Sequence, residues 1–510
     1  MIAFAALTGP LPKAGVVAVA LLVAVVLLVG ERRPRALAML GALILSPVLL
    51  LSAIWSSPQL RIVHRHPLYA LVGAVLAVAV LAALAWLVAP RPAVLGPLAL
   101  LALPFRIPIQ AGGNTSNLLV PLYLVVAVGS LAWIVPALRD DTPSGPVPGG
   151  SRGWALWVER LLALSVVLYA VQAIYSPDFT KALQQTVFFY VPFALLYRLL
   201  RDLRWTPEMI RNCLRLLVVL ALAFSVVGFV EYATKTIILN PKLVVANDLH
   251  TYFTVNSVFF DPDIFGRFLA LSMILIAVLL IYDRSQREHL AVVVVLAVLW
   301  AGLVLTLSRS SLGALLVGLA VLAALRWKPS RALVIAVVVI LLGAAAVAAT
   351  PRTFGLNQGI NGASSGRGGL VSGGVSLFAD RPLWGYGSAS FVVEYRRHNR
   401  RTATALSASH TIPVTVAAEQ GLIGEVVYVA LVLSALLCVL RHSRGDPVRS
   451  AIAAAFTALV FHTMLYADFL EDPVTWTLLG VGVTLAVEPS PGRWAGAPVL
   501  ARSRTARGAA

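Results

Sequence analysis

The most regular feature of this sequence is a series of long apolar runs separated by short polar connectors. A helix needs about 20 residues to cross the hydrocarbon of a bilayer, and backbone groups find no water there, so the runs predict membrane helices. No stretch shows the alternation over about ten residues that a membrane β-strand requires. The runs lie at 14–30, 36–54, 68–89, 93–105, 118–136, 158–175, 186–200, 212–230, 264–282, 289–307, 310–326, 332–349, 422–440, 451–467 and 473–487.

This pattern predicts an all-α polytopic membrane protein with about 13–15 transmembrane helices, because the runs at 93–105 and 186–200 are short for a full crossing. Composition agrees with it. Of the 510 residues, 59% are hydrophobic and 12% are charged, whereas soluble domains carry about 25% charged residues. A chain of this length and composition cannot enclose its apolar surface in one soluble core.

The net charge of +18 is carried by connectors that follow alternate runs. Short cytoplasmic loops are enriched in Lys and Arg, so these connectors predict one cytoplasmic side. The opposite, outer side then receives 231–263, the long polar interval at 350–412 and the acidic turn at 468–472. A second interpretation of the charge is attraction to anionic lipid or phosphate. Nucleic acid is not an expected partner, because no basic face lies on a soluble domain.

The polar intervals divide the chain into six parts. A Pro-, Gly- and Ser-rich stretch has the composition of a flexible linker, and we find no internal repeat of the kind that duplicated transporters show. The predicted parts are N-terminal membrane helices (1–138), a flexible cytoplasmic linker (139–157), a membrane bundle (158–349), an extracytoplasmic catalytic loop (350–421), C-terminal membrane helices (422–488) and a basic cytoplasmic tail (489–510).

Two arginines on the outer side are candidate substrate-binding residues. Arg309, in TLSRSSLGALL, lies at or just inside the outer boundary, where positive charge is depleted. Arg367, in SSGRGGL, is expected in the first turn of a short helix that starts near Ser365, beside backbone N–H groups that favour an anion. The arginine fork suits a diphosphate. The alternatives are a boundary arginine that reaches the headgroups and a solvated loop arginine.

His410 and Glu419 are candidate catalytic residues. His410 ends the polar interval and precedes TIPVTVAAEQGLIG, which predicts a short helix that dips toward the membrane. An imidazole can accept a proton from a hydroxyl near neutral pH. Glu419 is expected to orient His410 or to pair with an arginine, and a structural role is the alternative for both residues. Gly421 would let the dipping segment bend into the next span.

Arg267 is the third candidate substrate-binding residue, in FFDPDIFGRFLA. It lies about one turn beyond Asp263, so an ion pair between the two is the alternative to a functional role. The basic run 395–401 is interpreted as a patch for anionic headgroups. No P-loop or zinc spacing occurs, and no DxD-type pair lies in a soluble domain, so we predict chemistry without metal or cofactor.

Four stretches in this order resemble the O-antigen ligase superfamily, over roughly 210–470. The superfamily also contains O-antigen polymerases and some protein O-oligosaccharyltransferases. The stretches are FFDPDIFGRFLAL, LTLSRSSLGALL, SGRGGL followed by LFADRPLWGYGSASF, and SHTIPVTVAAEQGLIGEVVY. The chain departs from the familiar pattern at His410–Thr411, where a His-Asn pair is usual, and at Pro262–Asp263, where Pro-Asn is usual.

The resemblance implies a C-type glycosyltransferase-like (GT-C) bundle in the bacterial cytoplasmic membrane, with a large extracytoplasmic loop that contains short helices. It implies transfer of a glycan from a polyprenyl diphosphate donor to a hydroxyl-bearing glycan or lipid acceptor at the outer face, without metal. Arg309 and Arg367 would hold the diphosphate, and His410 would activate the acceptor. The alternatives are a polysaccharide polymerase, whose acceptor is another lipid-linked glycan, and a transporter or flippase for lipid-linked glycans.

Overall fold

The fold is a bundle of apolar helices. A computed structural model describes residues 9–55, 60–111, 114–139, 153–238, 247, 253–282, 286–327, 330, 334, 367–398 and 409–487. Nine helices in these ranges are long and apolar enough to cross a membrane. The predicted all-α polytopic class is therefore confirmed. Of the predicted runs, 332–349 lies outside the described residues apart from position 334, as do the loop between this run and Arg367 and the basic tail.

The helices follow the predicted apolar runs closely. Those before the polar loop are α1 (Pro10–Leu28), α2 (Arg32–Ile54), α3 (Arg61–Arg65), α4 (Pro67–Val88), α5 (Leu95–Ala102), α6 (Val120–Arg139), α7 (Trp154–Ala173), α8 (Phe179–Gln185), α9 (Val191–Asp202), α10 (Pro207–Thr234), α11 (Pro262–Tyr282), α12 (Gln286–Leu305) and α13 (Arg309–Arg326). Those after it are α14 (Arg367–Asp380), α15 (Phe391–His398), α16 (Ile412–Leu440), α17 (Pro447–Thr463) and α18 (Pro473–Val487).

The two short runs have different outcomes: one forms a helical segment shorter than predicted, and the other is part of a longer one. The 93–105 run contains a 3-10 turn (Pro92–Val94) and the eight-residue α5, which is too short to cross a bilayer. The 186–200 run contains a π-helical turn (Thr186–Tyr190) and most of α9, and together with α8 these form one continuous helical segment. An antiparallel hairpin also joins strands β1 (Ile107–Ala111) and β2 (Asn114–Leu118). This hairpin was not predicted from the sequence, because it lies between two apolar runs.

The helices on both sides of the predicted linker share one apolar core. Helix α7 packs against α1 and α16, α13 packs against α11 and α17, and α9 packs against α18. Because α18 contacts Arg267 at its start and the carbonyl of Arg201 through Thr484 near its end, it connects the two ends of the bundle.

One end of the bundle, which we call the basic end, contains ion pairs made by buried arginines. Arg35 and Arg198 both contact the carboxylate of Asp202, at 3.0 Å and 2.6 Å. Arg201 lies 3.3 Å from Glu159. These arginines belong to connectors that the charge pattern predicts to be cytoplasmic, so their clustering agrees with the predicted grouping of the connectors.

Helix α16 bends where the sequence predicts. Gly421 has φ 66° and ψ −164° inside the helix. A Cβ at this position would lie 2.4 Å from the carbonyl oxygen of Leu383, so the close approach of the 381–390 turn requires glycine. The turn is fixed to α16 by bonds such as Leu422 N–H to the carbonyl of Pro382, at 2.7 Å. The bend thus joins the end of the polar loop to the bundle.

Candidate functional site

Four parts of the chain meet at the other end of the bundle, which we call the site end. They are the start of α11, the start of α13, the end of α17 and residues 409–411. The segment before α11 is held by the buried Glu231 of α10, whose Oε2 accepts hydrogen bonds from the N–H groups of Asn256 (3.1 Å) and Ser257 (2.8 Å). These hydrogen bonds fix the position of the segment that leads to Asp261 and Asp263.

The start of α13 is a row of buried serine hydroxyls. Ser308 is the N-cap residue, and its Oγ accepts from the N–H of Ser311 at 3.3 Å. Ser308 also donates a short hydrogen bond to Oδ1 of Asp263, and Ser310 donates to the same oxygen at 3.3 Å. Asp263 is therefore bound to α13 through hydroxyl groups. Its carboxylate is shared by two donors of the Ser-Arg-Ser-Ser motif.

His462 of α17 lies against this row of serines. It is fully buried, and its Nε2 lies 3.3 Å from Oγ of Ser310 and 3.2 Å from Oγ of Ser311. It was not among the residues predicted from the sequence, because it lies inside an apolar run. The available signal was an ionisable side chain within a membrane span, followed at once by the acidic outer turn.

Tyr466 links this row to His410. Its hydroxyl donates to Oδ2 of Asp261 at 2.9 Å. Its ring centroid lies 5.5 Å from that of His462 and 5.9 Å from that of His410. Burial, followed by the neighbouring carboxylate of Asp261, raises the pKa of Tyr466 well above its ordinary value, so the phenol remains a donor. Burial and the nearby Asp263 raise the pKa of Asp261. Tyr466 was also not predicted as a site residue.

His410 is half-buried and has a left-handed backbone, with φ 58°. This conformation is uncommon for residues other than glycine. It is held by the buried Ser409, whose Oγ donates to the carbonyl of Thr411 at 2.7 Å and accepts from its N–H at 3.1 Å. Thr411 is the N-cap residue of α16. The backbone on both sides of His410 is thus fixed, which places its ring beside Tyr466.

Arg309 is the first residue of α13, between Ser308 and Ser310, and it is exposed. Its neighbours contact Asp263 and His462, and Tyr466 connects His462 to His410. The structure therefore places His410 and the start of α13, which carries Arg309, in one cluster.

Arg367 begins α14, where the sequence predicts a helix start, and its side chain is outside the described part of the structure. Helix α14 packs on the first turns of α16, where a Cβ at Gly374 would lie 2.4 Å from Val414. Arg367 precedes Gly374 by two helical turns, about 10 Å along the axis. The helix that carries Arg367 therefore lies near His410, and the role of the residue stays a prediction.

Glu419 is buried, and both of its carboxylate oxygens accept backbone hydrogen bonds. Oε2 accepts from the N–H of Ala389 at 2.8 Å, and Oε1 accepts from the N–H of Phe391, the first residue of α15, at 3.0 Å. A carboxylate at a helix N-terminus is favourably placed. These contacts favour a role in positioning the 381–390 turn, and the predicted catalytic role is not tested by them.

Arg267 is also buried, but the suggested pairing with Asp263 is wrong. Its Nη2 lies 2.9 Å from Oδ2 of Asp472, in the acidic turn before α18, and the two side chains are 3% and 2% exposed. Asp263 instead bonds to the serines of α13. Two side chains far apart in sequence thus form a buried pair, which the local spacing of Asp263 and Arg267 could not reveal.

Arg267 lines a groove of about 780 Å³ between α5, α10, α11 and α18. Most of its lining is apolar, including Leu103, Phe268 and Leu478, and its polar members include Arg106, Arg267 and Asp472. The Nη1 atom of Arg267 has no hydrogen-bond partner among the described residues. A buried donor without a partner is costly, so this corner of the groove is suited to an anionic group.

A family model described as O-antigen ligase matches residues 294–429. This range contains Arg309, Arg367, His410 and Glu419, and it confirms the predicted resemblance to the O-antigen ligase superfamily. A search of curated proteins found no match.

Proposed function

Taking the similarity of residues 294–429 to O-antigen ligases as the premise, we propose that this protein is a membrane glycosyltransferase. It moves a glycan from a polyprenyl diphosphate carrier to an acceptor hydroxyl. The observation that carries the proposal is the ring of His410 beside Tyr466, in a cluster that includes the start of the arginine-bearing helix α13.

In the proposed reaction, His410 removes the proton of the acceptor hydroxyl. The oxygen attacks the anomeric carbon, and the bond from that carbon to the diphosphate oxygen breaks with inversion. General base catalysis of this kind contributes about 10²–10⁴-fold to the rate. Tyr466 and Ser409 position His410, since one contacts its ring and the other fixes its backbone.

Arg309 and Arg367 bind the diphosphate and stabilise the charge that develops on it as it leaves. A planar guanidinium gives paired hydrogen bonds to phosphate oxygens and remains charged. The exposed position of Arg309 at a helix start is accessible to a headgroup, and its backbone lies beside a helix N-terminus that favours anions.

The apolar groove beside Arg267 fits the polyprenyl tail of the donor. Its lining of Leu, Phe and Pro side chains is compatible with a hydrocarbon chain. Arg106 and the unpartnered Nη1 of Arg267 supply positive charge in the same groove. In this proposal the site end faces the outside of the bacterial cytoplasmic membrane, as the charge of the connectors predicts.

The test is donor consumption by reconstituted protein, with lipid-linked glycan extracted from native membranes as the donor. His410→Ala and Arg309→Ala should each reduce release of polyprenyl diphosphate by about 100-fold. Matched controls lie at the far end of α16, where His442 is exposed and also left-handed (φ 61°) and Arg441 is exposed. His442→Ala and Arg441→Ala should stay within about twofold, because neither lies near the site.

Wild-type rates in both His410→Ala and Arg309→Ala would defeat the proposal. So would translocation of labelled lipid without cleavage of the glycosidic bond, which would indicate a flippase. The product distinguishes the two transferases: a ladder on the polyprenyl carrier identifies a polymerase, and glycan on a different molecule identifies a ligase.

A further inference from the structure

A second cavity, of about 600 Å³, lies beside α16 and does not share residues with the apolar groove. Its wall combines α7, the π-helical turn, the first turns of α16 and the turn that precedes Asp472. The residues that matter to its chemistry are Tyr169, Tyr190, Thr415, Glu419 and Glu471. The reaction steps proposed above make no use of this cavity.

The polar part of the wall is a connected network. The hydroxyl of Tyr169 donates a short hydrogen bond to Oε1 of Gln185, and Nε2 of Gln185 donates to Oε1 of Glu471 at 2.7 Å. Burial, then the nearby carboxylate of Asp468, raises the pKa of Glu471 to about 8. A carboxyl group that keeps its proton can donate as well as accept. The cavity therefore offers donors and acceptors of hydrogen bonds with little net charge.

The apolar part of the wall is aromatic. The rings of Tyr169 and Tyr190 have centroids 4.4 Å apart and are tilted by 30°. Phe469 and Tyr428 also line the cavity. Pockets that combine aromatic surface with a few placed polar groups bind small polar-apolar molecules and determine their orientation.

The lining differs from that of the groove in charge. Arg106 and Arg267 line the groove, whereas no Lys or Arg is among the described residues that line this cavity. Two carboxyl side chains, Glu419 and Glu471, are there instead. A diphosphate would be repelled or left unpaired in such a wall, and a hydrocarbon tail would leave the polar network unsatisfied.

The cavity is connected to His410 through α16. Thr415 lines the cavity, and its Oγ1 lies 2.7 Å from Oγ of Ser409. Ser409 is the residue that fixes the backbone of His410. A ring held against Thr415 thus lies within one to two helical turns, about 5–8 Å along the axis, of the residue proposed to accept the proton.

From these observations we infer that the cavity between α7 and α16 binds an uncharged, hydroxyl-rich sugar ring next to His410. This inference rests on the proposed function and specifies where a saccharide sits. The ring belongs either to the acceptor or to the glycan of the donor. These two sources have the same chemistry, so the experiment below separates them.

Two buried serines provide a matched pair of variants. Ser165 lines the cavity and Ser272 lines the groove, and each donates a 2.7 Å hydrogen bond to the carbonyl oxygen four residues earlier in its helix. Ser165→Leu should fill part of the cavity, and Ser272→Leu should fill part of the groove. The two changes remove the same kind of local hydrogen bond, so a difference in saccharide binding between them reports the space that each new side chain enters.

Binding is measured first, without turnover, by saturation-transfer NMR on the full chain in detergent. The probes are the methyl glycosides of glucose, galactose, mannose, rhamnose, fucose and N-acetylglucosamine. At least one should receive saturation in the wild type and in Ser272→Leu, and at least about fivefold less in Ser165→Leu. Equal transfer in all three proteins, or no transfer to any glycoside in the wild type, would overturn the inference.

Val427→Phe, on the α16 wall of the cavity, is the second variant if Ser165→Leu does not fold. It should give the same loss of saturation transfer, and unchanged transfer would overturn the inference.

Kinetics then identify the source of the sugar. A raised KM for the acceptor in Ser165→Leu assigns the ring to the acceptor, and a raised KM for the donor assigns it to the donor glycan. The two proposals fail separately, since saccharide binding does not require transfer. Binding without donor consumption would refute the proposed function alone, and consumption without binding would refute this inference alone.

Discussion

The carboxylates at the two ends of the bundle are bound by different kinds of partner. At the basic end, cations and carboxylates neutralise each other: Asp202 receives hydrogen bonds from both Arg35 and Arg198. At the site end, Asp261 and Asp263 are satisfied instead by hydroxyl groups of Tyr466, Ser308 and Ser310. Ion pairs fix the geometry of the basic end, whereas the site end combines one buried ion pair, Arg267 with Asp472, with groups that can donate, accept or lose a proton.

This difference separates charged side chains that stabilise the fold from ionisable side chains that are available for a reaction. An arginine that is paired with a carboxylate is not available to bind a substrate, and such a pair adds conformational specificity more than stability. A carboxylate that accepts hydrogen bonds from hydroxyls takes up a proton more readily when a nearby negative charge raises its pKa. A cluster of arginines is therefore not by itself a site. Four predictions follow from the contrast between the two ends, in decreasing order of effect.

Arg267→Met should have the largest effect on stability. It leaves the buried Asp472 without its arginine, which costs about 3–5 kcal/mol. Arg198→Met at the basic end should cost less than about 2 kcal/mol, because Arg35 still binds Asp202. The free energy of unfolding in detergent checks both. Equal losses of unfolding free energy would show that the second arginine at Asp202 does not reduce the cost of removing Arg198.

Arg309→Lys should separate charge from geometry at the site end. Lysine keeps the positive charge but lacks the planar fork, so release of polyprenyl diphosphate should fall about tenfold. Arg441→Lys, at the opposite end of the bundle, should leave the rate within about twofold. A full rate in Arg309→Lys would mean that a point charge suffices.

Tyr466→Phe should reduce donor consumption about fivefold, the equivalent of one hydrogen bond. The variant removes the donor to Oδ2 of Asp261, a bond that lowers the pKa of Asp261 against the effect of burial. The pKa of Asp261 should rise further, and the acid limb of the rate profile should move to higher pH. A lower rate with an unmoved profile would indicate loss of packing alone.

Glu471→Gln should have the smallest effect, a change in how stability depends on pH. Burial raises the pKa of Glu471 to about 8, so the folded protein holds a proton that the unfolded chain releases near pH 4.5. Stability from this proton is complete below pH 4.5 and is lost as the pH rises through about 8. The melting temperature of the wild type should fall across this window more steeply than that of Glu471→Gln, and parallel curves would contradict it.

Several features of the site could be predicted because they depend on nearby residues. The apolar run at 310–326 predicts a helix with Arg309 at its boundary, and Arg309 is the first residue of α13. The bend at Gly421 and the helix that begins at Arg367 follow from glycine and serine signals within a few residues. Local backbone preferences are sufficient for such structural predictions.

Contacts between distant helices could not be predicted in the same way. Arg267 was compared with Asp263, one turn away, but its partner is Asp472. In the sequence, His462 lies inside an apolar run and Tyr466 lies near its end. Only the packing of α17 against α13 shows that they belong to the site. A single sequence does not give the distances between helices, so these residues could be assigned to the site only from the packing of the bundle.

The sequence by itself determined that this chain crosses a membrane, where its helices begin, and which segments resemble O-antigen ligases, because apolar length and local capping are properties of contiguous residues. Only the tertiary structure decided which polar groups meet at the site end and which are bound in ion pairs. The reason is that burial and hydrogen bonding depend on which helix faces pack together, and many packings are compatible with the same apolar pattern.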